Sequence, residues 1–205
     1  MIPTCADLQR FKPSASPKDG AFTLGYVGSA GTWYLFDAVV AAFARLRQRL
    51  PDARLLVVNR HEHDYIRQRL QAGGVPAAAV ELCAASHAQV PELMARMHAG
   101  IFFIKPVFSK QASAPTKLGE FLGCGIPCLA NTGVGDMATV LEGERVGVAV
   151  DAFDPATLDA GLTRLLALMQ EPDIRPRCVA AAHRHFSLDE GVARYRGVYA
   201  ALGVD

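Results

Sequence analysis

The sequence lacks the features that mark several large classes of protein. No apolar run approaches the ~18 residues that a membrane span needs, and Arg10, Lys12 and Lys18 interrupt the stretch where a signal peptide would lie. The formal net charge is only +1 over 205 residues, so the chain has no basic excess of the kind that nucleic-acid-binding proteins carry. We therefore expect a cytoplasmic protein that binds no nucleic acid.

Common catalytic and metal-binding motifs are also missing. The chain has no G-x-S-x-G elbow, no Walker loop and no H-E-x-x-H pair. Its five cysteines are odd in number and scattered, which favours reduced thiols, and Cys124 and Cys128 lack the second pair that a zinc site needs. His61-Glu62-His63-Asp64 suggests a metal cluster, but adjacent helical side chains point in different directions. We interpret it as a solvated helix start, and we expect no metal and no resident cofactor.

What the sequence does contain is an alternation of short apolar strands and helical segments. Because each strand is nearly all apolar, both of its faces must be covered, which is typical of a parallel sheet between helices. The pattern predicts an α/β, doubly wound, Rossmann-like domain of about six strands and six or seven helices. The predicted strands are Phe22–Gly28, Arg54–Asn59, Val80–Cys83, Ile101–Ile104, Pro127–Asn131 and Val146–Val150.

The ends of the chain differ from this core pattern. Residues 1–20 are polar and proline-rich and are predicted to be a linker, ahead of a domain at 21–186. Thr32 is expected to cap the first helix. Ser187 and Glu190 have capping-box spacing and predict a final helix within 187–205.

The stretch from Ile101 to Gly135 carries the candidate site. Its predicted strand runs into a loop with Lys105 and Lys110, and a helix then starts near Thr116, with Lys117 and Glu120 in its first turns. Free N–H groups at a helix start favour an anion. The spacing suggests a site for a phosphorylated, hydroxyl-bearing ligand, or else a solvated surface pair between Lys117 and Glu120.

A glycine turn, Gly28-Ser29-Ala30-Gly31, follows the first strand. It is not the full G-x-G-x-x-G fingerprint, and Asn59 and Arg60 stand where a dinucleotide site would have an acidic residue. We therefore do not expect NAD. Both a phosphate-binding turn and a simple tight turn fit this segment.

Taken together, four segments resemble the family 4 (group 1) glycosyltransferases of GT-B fold. Residues 2–13 (IPTCADLQRFKP) resemble the interdomain segment of that family, and 115–127 (PTKLGEFLGCGIP) resemble its donor-site helix. Residues 133–136 resemble the loop that follows. Phe186-Ser187 and the helix with Tyr195 and Tyr199 resemble the C-terminal segment, so the resemblance covers essentially the whole chain.

This resemblance implies that the chain is the C-terminal, nucleotide-sugar-binding half of a two-domain enzyme. The donor would be a UDP- or GDP-sugar, and the acceptor site, with any membrane contact, would belong to an N-terminal half. The isolated chain would then bind nucleotide but be inactive, with residues 187–205 packing toward that other half. No catalytic residue is expected here, and the implied donor-binding residues are Gly28, Ser29, Ser86, Lys110, Thr116, Lys117 and Glu120.

The resemblance also suggests what these residues do. Glu120 would bind the ribose hydroxyls, and the amides of Thr116 and Lys117 with the Lys117 side chain would hold the diphosphate. Gly28 and Ser29 would face the diphosphate, and the base would lie near Ser86. Electrostatic preorganisation, rather than a metal, would stabilise the leaving diphosphate.

Two departures from the family pattern keep other functions open. Ala112 stands where the family usually has a sugar-contacting glutamate, and the usual Arg/Lys pair after the first strand is absent, which leaves Lys110 and Lys117 as candidate cations. A nucleotide-sugar epimerase of GT-B fold and a non-catalytic domain that kept the fold are the alternatives.

Overall fold

Six parallel strands form one sheet in the computed structural model of the chain, which describes residues 4–14 and 20–203. The sheet order is β3-β2-β1-β4-β5-β6. This order and the parallel pairing confirm the predicted doubly wound, Rossmann-like sheet. The strands are β1 (Thr23–Val27), β2 (Arg54–Val58), β3 (Val80–Cys83), β4 (Ala99–Ile101), β5 (Cys128–Asn131) and β6 (Gly147–Val150).

Helices cover both faces of the sheet. Since the strand order reverses at β1, right-handed crossovers place α1 and α2 on one face and α4 and α5 on the other. Within the described residues there are eight α-helices, one more than the upper predicted number. They are α1 (Phe36–Arg49), α2 (His63–Ala72), α3 (Val90–Met94), α4 (Thr116–Gly123), α5 (Met137–Gly143), α6 (Pro155–Leu168), α7 (Ile174–Phe186) and α8 (Leu188–Ala201).

The order of the strands reverses between β1 and β4, and the loops that follow these two strands are joined. The N–H of Leu35 donates to the carbonyl of Phe103, and the N–H of Lys105 donates to the carbonyl of Trp33, each at 2.9 Å. Tyr34 and Ile104 form an antiparallel bridge between these bonds. Doubly wound sheets bind their ligands at this switch point, so these contacts shape the edge where a site is expected.

Two local predictions are wrong. β4 ends at Ile101 rather than Ile104, because the main chain of Phe103 and Ile104 bonds to Leu35 and to the Asn131 side chain instead of continuing the sheet. Thr32 does not cap α1. Its φ is +54°, and the helix begins only at Phe36, with Leu35 before it and no side-chain cap.

The segment before β1 packs against the end of the domain. Ala6 and Phe11 are buried, and the N–H of Ala6 donates to the carbonyl of Phe186 at 2.9 Å. Ser187 caps α8 by accepting a hydrogen bond from the N–H of Glu190 at 3.4 Å, as the capping-box spacing predicts. The rest of the predicted linker, residues 1–3 and 15–19, and residues 204–205 lie outside the described residues. No helix in the described part of the chain is long and apolar enough to cross a membrane.

Candidate functional site

The start of α4 leaves backbone donors free at the carboxyl edge of the sheet. Pro115 precedes the helix with extended backbone angles, and no side chain caps it. The N–H of Leu118 bonds to the carbonyl of Pro115, whereas the N–H groups of Thr116 and Lys117 have no partner within residues 4–14 and 20–203. The helix dipole adds partial positive charge at this end, and α4 begins at Thr116, where the sequence predicts a helix start.

The ammonium of Lys117 is surrounded by three aromatic rings at this helix start. The Nζ atom lies 3.9 Å from the centre of the Tyr34 ring and 5.5 Å from those of Tyr26 and Phe102. It is buried without a hydrogen-bond partner in the described structure. Burial lowers the pKa of Lys117 to about 7, although the nearby carboxylate of Glu120 acts to raise it. A solvated pair with Glu120 is therefore not what the structure contains.

Gly28 lies directly against this ammonium. A Cβ added to Gly28 would sit 2.9 Å from Lys117 Nζ, and the φ of Gly28 is +110°, which side-chain-bearing residues rarely adopt. The glycine therefore permits the close approach of the turn to Lys117. The turn and the α4 helix start, which are about 90 residues apart in sequence, thus form one surface at the switch point.

Glu120 lies one turn further along α4 and faces a histidine. Glu120 Oε1 is 3.5 Å from His87 Nε2, and Arg10 donates to His87 Nδ1 at 2.9 Å. A guanidinium can only donate, so Nδ1 is the acceptor and Nε2 carries the proton that points to Glu120. Burial raises the pKa of Glu120, and the contact with His87 opposes this shift. Sequence analysis missed His87, and its place in the loop after β3 was the available signal.

The glycine turn already holds a carboxylate. Glu62 accepts hydrogen bonds from the N–H groups of Ala30 and Gly31, both at 2.8 Å. It also accepts one from Asn59 Nδ2 at 2.8 Å. Partial burial acts to raise the pKa of Glu62, but the hydrogen bonds from Ala30, Asn59 and Gly31 outweigh it and lower the pKa. The prediction of a solvated helix start is therefore wrong for Glu62, because the turn and this carboxylate meet across the sheet edge.

Three other predicted site residues lie in loops of the same edge. Ser29 is exposed, and its carbonyl accepts a hydrogen bond from the Tyr26 hydroxyl. Lys110 Nζ lies 4.7 Å from the centre of the Trp33 ring. The Ser86 hydroxyl donates to Gln89 Oε1 at 2.8 Å. The side chains of Lys110 and Ser86 thus contact Trp33 and Gln89. Gly28, Lys117 and Glu120 form the centre of the site.

Asn131, at the end of β5, fixes the loop after β4. It is buried, its Oδ1 accepts from the N–H of Ile104 at 2.8 Å, and its Nδ2 donates to the carbonyl of Ile104 at 2.9 Å. Both polar groups of one buried peptide segment are thereby satisfied by a side chain. An asparagine that ends an apolar strand was the sequence signal for this role.

Several cations at this edge have no ion-pair partner in the part of the chain that the structure describes. Arg60, Lys105, Lys110 and Lys117 have no carboxylate within 4 Å among the described residues, whereas Arg45, Arg69 and Arg96 each pair with a carboxylate elsewhere in the domain. Unpaired cations, free helix amides and an adjacent glycine turn are the components of an anion site. The fold is that of a Rossmann-like domain, and these components lie together at its switch point.

Comparison with known proteins identifies the family. Residues 21–168 match the sequence profile described as glycosyl transferases group 1. Because this match spans most of the chain, the chain belongs to the group 1 glycosyltransferases. No curated protein sequence matches the chain.

Solved glycosyltransferase structures share the fold at low sequence identity. Sucrose-phosphate synthase from Thermosynechococcus elongatus is 20% identical with a TM-score of 0.79, over 98% of this chain and 52% of that one. The Anabaena protein HepE in complex with UDP is 18% identical with a TM-score of 0.75, over 96% and 56%. The C-terminal domain of a group 1 family protein (LpcC) from Francisella tularensis is 13% identical with a TM-score of 0.63, over 87% and 95%. The chain thus spans about half the length of the first two structures.

Proposed function

We propose that this chain is the donor-binding half of a glycosyltransferase that moves a sugar from a nucleoside diphosphate sugar to an acceptor hydroxyl. In this proposal it is the C-terminal domain of a family 4, GT-B enzyme, and the donor is a UDP- or GDP-sugar. The observation that carries the proposal is the buried, unpartnered ammonium of Lys117 beside Gly28 and the free amides of α4. A diphosphate supplies the negative charge that this arrangement lacks.

The donor would lie along the carboxyl edge with its diphosphate at the start of α4. Thr116 and Lys117 would donate their backbone N–H groups to phosphate oxygens, and the Lys117 ammonium would neutralise charge. Glu120, already held by His87, would accept hydrogen bonds from the ribose hydroxyls. The base would then extend toward the loop of Ser86, and Ser29 would face the diphosphate from the glycine turn.

The chemistry of transfer explains why such an edge is useful. The acceptor oxygen forms a bond to the anomeric carbon as the bond from that carbon to the diphosphate oxygen breaks, and the diphosphate leaves with the electron pair. Donors fixed in place before the reaction stabilise the charge that develops on the leaving group. We propose that the chain's own cations and amides do this without a metal, so chelator should leave nucleotide affinity unchanged.

The comparisons support a donor-binding half rather than a whole enzyme. The structure named as a C-terminal domain is covered almost completely by this chain, whereas longer glycosyltransferases are covered only over about half their length. HepE is described in complex with UDP, which supports a nucleotide as the ligand of this edge. The acceptor site would then belong to an N-terminal half.

The last helix supplies a surface for that other half. The side chains of Leu188, Val192, Tyr195, Tyr199 and Leu202 are exposed at spacings of three and four residues, which places them on one face of α8. A soluble domain rarely leaves such a continuous apolar stripe uncovered. We propose that this face packs against the N-terminal half, as the family resemblance implies for residues 187–205.

The proposal is tested by calorimetric titration with UDP, GDP, ADP and CMP, in which the affinity for each nucleotide is compared with that for its nucleoside. We expect UDP or GDP to bind at least about tenfold more tightly than the nucleoside, since the diphosphate makes charge-assisted hydrogen bonds. Equal affinity for nucleotide and nucleoside would contradict a diphosphate site.

One observation favours a second candidate, a non-catalytic domain that kept the fold. Ala112, in the loop before α4, is exposed and offers no carboxylate to a donor sugar. The absence of any nucleotide-induced rise in the unfolding temperature would favour this candidate over the donor-binding half.

A further inference from the structure

The glycine turn cannot offer all of its amides to a phosphate. The N–H groups of Ala30 and Gly31 already donate to Glu62, and the N–H of Gly28 donates to the carbonyl of Val58 at 2.9 Å. A second anion would have to displace Glu62 to reach the first two. A phosphate that approaches this side of the site must therefore be met mainly by side chains.

Arg60 is the cation in the right place. It follows β2, is exposed, and lines a cavity of about 260 Å³ together with Gly28, Ser29 and Glu62. The Arg60 guanidinium has no hydrogen bond or ion pair with any residue in 4–14 or 20–203. On the other side of the turn, Lys117 Nζ lies 2.9 Å from the position that a Cβ on Gly28 would occupy. Two unpaired cations, Arg60 after β2 and Lys117 in α4, thus lie near one glycine.

Asn59 holds the backbone on both sides of this cavity. Its Oδ1 accepts from the N–H groups of His61 and Glu62 at 3.0 and 2.6 Å, and its Nδ2 donates to the carbonyl of Gly28 at 2.9 Å. The side chain is buried and its hydrogen bonds connect the turn after β1 to the turn after β2. The attachment point of Arg60 is therefore fixed relative to Gly28, which lowers the entropy that binding would otherwise lose.

We propose that Arg60 is a phosphate-binding residue, and that it contacts the diphosphate of the donor from the β2 side while Lys117 contacts it from the α4 side. A guanidinium suits this role because its planar array of donors matches two phosphate oxygens at once. The proposal rests on the donor-binding function and adds a residue that the family pattern does not supply here. It also accounts for a site that lacks the usual Arg/Lys pair after the first strand.

The chain offers a matched control in Arg54, at the opposite end of the same strand. Arg54 is also exposed, at the amino end of β2, so Arg54→Gln removes the same charge from the edge that faces away from the site. Calorimetric titration of wild type, Arg60→Gln and Arg54→Gln with UDP, GDP and inorganic pyrophosphate compares the two positions. Pyrophosphate has no base or ribose and reports on the phosphate contacts alone.

We expect Arg60→Gln to weaken nucleoside diphosphate and pyrophosphate binding by about tenfold or more, the effect of losing a charge-assisted hydrogen bond. Arg54→Gln should bind as wild type does. Equal affinities for the two variants, whether both weakened or both unchanged, would overturn the role of Arg60 and leave the donor-binding function intact. If the wild type binds none of the three probes, the donor-binding function itself fails. Thermal unfolding of both variants checks that each is folded.

Discussion

The ammonium of Lys117 lies 3.9 Å from the centre of the Tyr34 ring and donates no hydrogen bond to any residue in the described structure. A desolvated cation over an aromatic face gains about 2 kcal/mol, which is less than a buried charge loses when it leaves water. Lys117 is therefore held in a state that an incoming anion would improve. Its unfavourable environment is the feature from which the proposed binding mode follows.

The first prediction concerns stability and pH in the absence of ligand. Burial lowers the pKa of Lys117 to about 7 from 10.5, so between these values the unfolded chain binds more protons at this position than the folded chain. The contribution of Lys117 to the free energy of unfolding must then rise with pH across this window. Urea unfolding of wild type and Lys117→Met at pH 7 and pH 9.5 isolates this contribution.

The wild type should gain more than about 1 kcal/mol relative to Lys117→Met between the two pH values, given 1.36 kcal/mol for each pKa unit. Other titrating groups are common to both proteins and cancel. An unchanged difference between the two proteins would show that Lys117 stays charged in the fold.

A second prediction separates the ribose role of Glu120 from a general charge effect. Glu120→Gln should weaken binding of a ribonucleoside diphosphate by about tenfold or more, because hydrogen bonds to charged groups contribute about 1.5–3 kcal/mol. The 2′,3′-dideoxy nucleotide should bind the wild type and the variant with nearly equal affinity. A loss of the same size for both nucleotides would mean that Glu120 does not contact the ribose hydroxyls.

Asn131 gives a prediction about the framework of the site. Asn131→Leu removes the partners of the N–H and the carbonyl of Ile104, and each unsatisfied buried group costs about 1–3 kcal/mol. We expect the free energy of unfolding to fall by about 2–4 kcal/mol in urea titration. Thr132→Val, at the next position, serves as the control and should change it little. A decrease of less than about 0.5 kcal/mol in the free energy of unfolding for Asn131→Leu would show that these hydrogen bonds do not stabilise the loop.

The sheet could be predicted from the sequence because its signal is local. Apolar runs such as Val80–Cys83 begin and end where the structure places β3, and strands that alternate with helices leave few alternatives to a parallel sheet. The helix start at Thr116 was also predictable, because Pro115 and the polar loop before it mark the boundary.

The details of the site could not be predicted, because they depend on contacts between distant segments. The residues next to Lys117 in the sequence do not indicate that the Tyr34 ring covers its ammonium. The residues next to Glu62 do not indicate that the N–H groups of Ala30 and Gly31 bind its carboxylate. The same holds for the short β4, which ends at Ile101 because the main chain of Ile104 hydrogen-bonds to the Asn131 side chain. Each of these features arises only when the strands are assembled in order.

The measurement that tests the account most directly is proton uptake when a nucleoside diphosphate binds. Calorimetric titration of the wild type at pH 8.5, in two buffers of different ionisation enthalpy, reports the protons exchanged. Lys117, with its pKa of about 7, is mostly neutral in the free protein at this pH and should become charged beside the diphosphate. We predict uptake of about one proton per site, and both weaker binding and no uptake for Lys117→Met. Equal affinity and equal proton exchange in the two proteins would contradict the placement of the diphosphate at Lys117.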